Sequence, residues 1–296
     1  MMSRVQKGAI IAKSVVKIAK NEYSERYSER KAQMKVGFIG CGNMASAMIR
    51  GMLSNSVLEK EDLCASALTA KTQEKIRSGL KISCVSNKEA ARISDVLFLA
   101  VKPQYYEEVI REIKEDVRPE TIIVTIAPGK TLSWLEEQFG SARKFIRTMP
   151  NTPAMVGEGM TGVCPGSSVT REELSLVIKL LSSFGKAEVV PEHLLDVVTS
   201  VSGSSPAYVF LFIEAMADGA VADGMPRDKA YKFAAQAVLG SAKMVLETGL
   251  HPGVLKDMVC SPGGTTIEAV RILEEKGLRS AVIEAEKACV RKSRGM

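Results

Sequence analysis

The sequence predicts an α/β fold in which a doubly wound parallel sheet is followed by an all-α domain. Three observations carry this expectation. Short β-rich runs alternate with helical stretches between Lys35 and Met149, as repeated right-handed βαβ units require. One run, Asp95 to Val101 (DVLFLAV), is almost wholly apolar, as a strand covered on both faces must be. Beyond Pro191 the strand signal stops and long helical segments take over.

Taken in order, Val36 to Ile39 is the first strand, and a Gly-rich turn leads into a helix from Asn43 to Leu53. Leu63 to Ala67 is the second strand, with a polar helix behind it, and Ile82 to Val85 the third. The fourth is Asp95 to Val101, followed by a helix beginning after Pro103. Thr121 to Ala127 (TIIVTIA) is the fifth, a helix containing Trp134 comes next, and Lys144 to Met149 is the sixth. Helices are then expected over 204–224, 226–249, 264–276 and 278–292, broken by Gly224-Met225-Pro226, by Gly249 to Gly253 and by Gly277. Ala207, Tyr208, Val209, Phe210, Leu211, Phe212 and Ile213 surround the first of these helices with apolar side chains. A small helical domain cannot bury such a helix alone, so a partner subunit should cover part of it. The expected division is a leader over 1–33, a dinucleotide-binding domain over 34–191 and a helical dimerisation domain over 192–296.

A chain of 296 residues with 46% hydrophobic and 25% charged composition is neither a disulfide-held miniature nor a disordered chain. Its formal charge of +6 would point to nucleic acid or an anionic surface if it were clustered on the folded body. Residues 1–33, however, hold eight basic and three acidic side chains, so five of those six charges belong to the leader. The leader reads as disordered or as a start assigned upstream of the true Met34. The body is nearly neutral, and neither nucleic acid nor membrane is expected as a partner. No two of the six cysteines have metal-ligand spacing, and His193 and His251 are the only histidines, so no metal site is expected. Isolated cysteines fit reduced thiols in a cytoplasmic protein. The longest apolar runs, Val96 to Val101 and Ala207 to Ile213, fall short of the roughly 18 to 20 residues that span a bilayer.

Gly40-Cys41-Gly42-Asn43-Met44-Ala45 places G-x-G-x-x-A between the first strand and its helix. Gly40 permits the tight turn, Gly42 lets a pyrophosphate approach the backbone, and Ala45 leaves room for the helix to pack on the sheet. The free N–H groups of Asn43 and Met44 at the helix start favour an anion. In this context the motif marks a Rossmann-type domain. NAD-specific sites usually hold the ribose 2′-OH with an acid near the end of the second strand. Here the segment is Ala65-Ser66-Ala67-Leu68-Thr69-Ala70-Lys71, whose hydroxyls at Ser66 and Thr69 and charge at Lys71 suit a 2′-phosphate. NADPH is the expected cofactor, with NADH still possible if these side chains only form an exposed polar loop.

Three further segments lie where such a sheet binds ligands or resemble an anion site. Ala100, Val101, Lys102 and Pro103 end the fourth strand, and Met149-Pro150-Asn151-Thr152-Pro153 ends the sixth on the same edge. Ser261-Pro262-Gly263-Gly264-Thr265-Thr266-Ile267-Glu268 opens a helix. Thr265 and Glu268 have the spacing of a capping box. The glycines behind Ser-Pro expose backbone N–H groups suited to a carboxylate, with the Thr266 hydroxyl beside them.

Together these motifs, with Ser202-Gly203-Ser204-Ser205-Pro206-Ala207-Tyr208 and Glu268-Ala269-Val270, resemble the pyrroline-5-carboxylate reductase family from Met34 to near Arg291. The resemblance implies NAD(P)H-dependent reduction of 1-pyrroline-5-carboxylate to L-proline. It implies a substrate carboxylate held by the N–H groups of Gly264, Thr265 and Thr266 with Ser261, and a pocket lined by Val259. Thr266 would be the catalytic residue, hydrogen-bonded to the ring nitrogen. Ala100, Val101, Lys102, Pro103 and Asn151 would join the glycine turn at the cofactor, and dimers would assemble further, commonly five to a decamer. Ser205 departs from the glycine that the family often has there. A β-hydroxyacid dehydrogenase is the alternative enzyme, but its G-x-x-x-N-K helix is not found after Pro191. His251-Pro252-Gly253 reads as a turn between helices rather than a catalytic group.

Overall fold

The computed structural model describes residues 34–140 and 143–295, so the 1–33 leader lies outside the described residues. The chain divides into two compact units, one ending at Glu192 and the other beginning at His193.

The first unit contains β1 (Val36–Ile39), α1 (Asn43–Ser54), β2 (Leu63–Ser66), α2 (Ala70–Glu74), β3 (Ser83–Cys84), α3 (Asn87–Ile93) and β4 (Val96–Leu99). It continues with α4 (Tyr106–Ile113), β5 (Ile122–Thr125), α5 (Leu132–Phe139), β6 (Lys144–Met149), β7 (Gly159–Pro165), α6 (Arg171–Leu181) and β8 (Gly185–Val189). The strands form one sheet in the order β3-β2-β1-β4-β5-β6-β7-β8. Every pair from β3 through β6 is parallel. The expectation of a purely parallel sheet needs correction at its far side, where β7 runs antiparallel to β6 and β8 pairs parallel with β7. Neither strand was anticipated. Gly159, Gly162 and Pro165 in β7 are poor strand formers, and β8 carries Lys186 and Glu188. As the edge strand, β8 can keep those charges in water, and none of its residues is fully buried.

Alternation along each central strand feeds two cores. Val96 and Phe98 join Val36 and Phe38 on one face, under Met48, Ile49 and Met52 of α1 and Leu181 of α6. Leu97 and Leu99 face the other way, under Val109 and Ile110 of α4 and Leu135 of α5. Both faces are therefore closed, which explains the unbroken apolar run at β4. Phe38 and Phe98 stack across the β1–β4 pair with ring centroids 4.7 Å apart.

Tyr106 reaches back under the sheet edge from the first residue of α4. Its hydroxyl donates to the Leu99 carbonyl at 2.6 Å and lies 2.9 Å from Thr125 Oγ1, joining the ends of β4 and β5. Burial pushes its phenol well above the ordinary tyrosine range, so it stays a neutral donor. Tyr106→Phe leaves the Leu99 carbonyl without this donor and the Thr125 hydroxyl without this partner. Urea unfolding is expected to show a loss of about 1–3 kcal/mol.

The second unit is helical: α7 (Leu195–Val198), a π turn (Thr199–Ser204), α8 (Ser205–Ala222), α9 (Arg227–Thr248), α10 (Pro252–Val259), α11 (Thr265–Glu275) and α12 (Leu278–Ser293). Of these, α7 and α10 were not anticipated; His251 caps α10, its Nδ1 accepting from the Gly253 N–H at 3.0 Å. Glu192–Ala222 runs as one helical stretch of 31 residues, long and apolar enough to cross a membrane by length and composition alone. The sequence reading expected no such stretch, because it did not join α7 and the π turn to α8. Only 11% of its most apolar window is buried within the chain. Ala217, Ala230 and Ala234 are buried, while Phe210, Leu211, Phe233 and Leu246 are more than half exposed. The unit thus presents an apolar surface far larger than a lone helical domain keeps in water.

Candidate functional site

The phosphate-binding turn sits where the strand order reverses, at β1 between β2 and β4. Gly40 has φ +88, and a Cβ there would lie 2.8 Å from both the Ala100 carbonyl and Val101 Cγ1. Glycine is therefore demanded twice, and the turn packs against the end of β4. The Gly40 N–H donates to the Ser66 carbonyl at 3.1 Å, tying the turn to the end of β2 as well. Gly42 precedes α1 and has nothing within 4 Å of an added Cβ, so its α-face is open. No side chain caps α1 and no acid stands in its first turn, leaving the N–H groups of Asn43, Met44 and Ala45 available to an anion. Ala45 is buried beneath them. This open cradle fits a dinucleotide pyrophosphate.

Ala100 and Val101 are half-buried beside Gly40, and exposed Lys102 leads into a short 3-10 turn begun by Pro103. Thr69 and Lys71 are exposed after β2, and Thr69 caps α2 by accepting from the Thr72 N–H at 3.3 Å. Two expectations change. Ser66 is 2% exposed and its hydroxyl donates to Asn87 Oδ1 at 2.6 Å, so it does not offer itself to a 2′-phosphate. Asn151 is buried at the end of β6, where its Oδ1 accepts from the Met160 N–H at 2.8 Å. Sequence reasoning missed Tyr106; a tyrosine three residues after a strand-ending proline was its only signal.

In the second unit, Ser261 to Gly264 form a tight turn. The Gly264 N–H donates to the Ser261 carbonyl at 3.1 Å, and Gly263 takes φ +66 behind Pro262, as a type II turn requires. A Cβ on Gly264 would lie 2.3 Å from Ser261 Oγ, so the serine hydroxyl rests over the glycine. Two corrections follow. Gly264 makes room for that hydroxyl, and its own N–H closes the turn rather than meeting a carboxylate. The capping box does not form: α11 starts at Thr265, its N-cap is Gly264, and Glu268 pairs with Arg271 at 2.8 Å. Thr265 and Thr266 thus keep unpartnered N–H groups at a helix start, with Ser261 nearby. Thr266 is half-buried, Thr265 exposed, and Val259, the last residue of α10, is 64% exposed.

Comparison with known proteins reads the two units separately and then together. A family described as NADP oxidoreductase, coenzyme F420-dependent, matches residues 35–129, and one described as pyrroline-5-carboxylate reductase dimerisation matches 192–296. A pyrroline-5-carboxylate reductase of Escherichia coli (strain K12) is 52% identical over 262 residues, covering 88% of this chain and 97% of its own. The chain belongs to the pyrroline-5-carboxylate reductase family. Solved reductases of the family agree in fold. That of Coxiella burnetii has a TM-score of 0.83 and 31% identity, covering 89% of this chain and 98% of its own. That of Plasmodium falciparum, solved with NADP bound, has a TM-score of 0.79 and 32% identity over 88% of this chain and 97% of its own. The dimerisation match falls on the unit whose apolar helices are exposed, so this reductase is a homo-oligomer.

Proposed function

We infer that the protein reduces 1-pyrroline-5-carboxylate to L-proline with NADPH. The observation that carries this reading is the Ser261–Thr266 turn, an anion cradle with a free hydroxyl beside it. When bound, the dinucleotide supplies a hydride to the imine carbon, C5. The chain's part is to bind and orient: the N–H groups of Thr265 and Thr266 and the Ser261 hydroxyl hold the substrate carboxylate, and Val259 meets the ring. The Thr266 hydroxyl holds the ring nitrogen, so that the electrophilic carbon is fixed for near-attack contact. Segment 261–266 contains no Asp, Glu or His. The proton on nitrogen is therefore carried in by an iminium substrate or arrives from water through Thr266. The test is to mix protein, pyrroline-5-carboxylate and NADPH, and follow absorbance loss with proline formation. No proline at saturating cofactor would reject the assignment.

Preference for NADPH is supported by the absence of any acid between Leu63 and Gln73, together with Lys71. Because Lys71 is exposed, Lys71→Glu should leave the fold intact. Its expected effect is an NADPH KM raised about tenfold or more, with that for NADH within about twofold. Equal changes would remove Lys71 from the cofactor site. The proposed assembly is a dimer built further into a decamer, read by native mass. The proposed setting is the cytoplasm, where all six cysteines, free here, stay reduced.

A further inference from the structure

A second lysine follows the helix that carries Lys71. Lys75 follows α2 directly and opens a π-helical stretch, Lys75–Leu80. It lies one helical turn beyond Lys71, and residues so spaced share a face with Cβ atoms about 5–6 Å apart. Its neighbour Ile76 is fully buried in the core that also holds Cys41 of the glycine turn, so the backbone at Lys75 is anchored to that core. Burial pushes the Cys41 thiol up, opposed first by the Ser46 hydroxyl and then by the charge of Lys75. Its charge therefore reaches the Gly40–Gly42 loop.

Neither Lys71 nor Lys75 makes an ion pair among the described residues, although Lys75 is half-buried. Glu74, the acid next to it in sequence, bonds the Ser78 hydroxyl instead. A cation partly withdrawn from water and lacking a carboxylate partner gains when an anion arrives. Single-turn π widenings are frequent at functional sites.

We propose that Lys71 and Lys75 form a two-lysine clamp for the 2′-phosphate of the dinucleotide, with Lys75 a specificity-determining residue. The proposal rests on the NADPH reading above. It explains how the site replaces the Ser66 hydroxyl, which is turned inward.

Calorimetric titration of the full chain with 2′,5′-ADP, 5′-ADP, NADP+ and NAD+ tests it. Lys75→Gln is expected to weaken 2′,5′-ADP and NADP+ about tenfold, and to leave 5′-ADP and NAD+ within about twofold. The unchanged ligands also report an intact fold. Equal weakening of ligands with and without the 2′-phosphate, or no weakening, overturns the clamp. If the unsubstituted chain binds 2′,5′-ADP no more tightly than 5′-ADP, the NADPH reading and the clamp both fail. If it discriminates and Lys75→Gln is indifferent, the clamp alone fails.

Discussion

Replacing Thr266 by valine is expected to lower kcat about 100-fold, the scale seen when one polar group acting in a transition state is removed. Valine matches threonine in shape and has similar helix propensity, so the start of α11 should persist. Thr266 is not the N-cap, and no side-chain cap bond is lost with it. The Kd for NADPH should stay within about twofold, because the dinucleotide cradle belongs to the other unit. Thr266→Ser, which keeps the hydroxyl, should recover most of the activity. Stopped-flow turnover and cofactor titration on the same preparation separate these quantities. Parallel loss of turnover and cofactor binding would mean that the residue supports the fold instead of touching the substrate.

That experiment has force because the structure removes the rival explanation. Thr265 and Glu268 have the Thr-x-x-Glu spacing of a capping box, and from sequence alone the cap explains them. The helix begins one residue earlier than that reading needs, and Glu268 pairs with Arg271, which also holds Glu275. Sequence spacing cannot fix a helix start to one residue. The same limit applies to strands, where a position's neighbours in the chain do not say which face it takes. Ser66 lies in a segment read correctly as a strand end, yet its hydroxyl points to Asn87 and the interior. Lys75 escaped notice because the helix after β2 was read only as polar, without its one-turn lysine spacing.

What was legible is what backbone geometry dictates. Gly40 and Ala45 are constrained by a strand, a turn and a helix meeting at one point, and each appears where that geometry needs it. Strands β1, β2, β4 and β5 are buried at every residue and β6 at all but Lys144, and they announce themselves by composition. Strands β7 and β8 do not, because one is rich in glycine and the other is a polar edge. The apolar surround of α8 was legible too, but its meaning depended on exposure: Phe210 and Leu211 find no cover within the chain, and the dimerisation family match explains what covers such helices.

Gly42→Val offers the second large effect, and it differs from any change at Gly40. At Gly42 the backbone is in an extended region with φ −72, and an added Cβ meets nothing within 4 Å. Valine there should cost the fold little. It fills the space through which a pyrophosphate approaches the α1 N–H groups, so at least two charge-assisted hydrogen bonds are lost at about 1.5–3 kcal/mol each. NADPH affinity is expected to fall at least about 100-fold, with the urea midpoint nearly unchanged. Gly40→Ala should do the reverse in order of cause. Its φ of +88 and the 2.8 Å approach to the Ala100 carbonyl make it a stability change of about 2–4 kcal/mol. Cofactor loss would follow only because the turn is displaced. If Gly42→Val instead lowers the unfolding midpoint as much as Gly40→Ala does, the openness at Gly42 is filled by the protein itself, and the cradle is not where the dinucleotide lies.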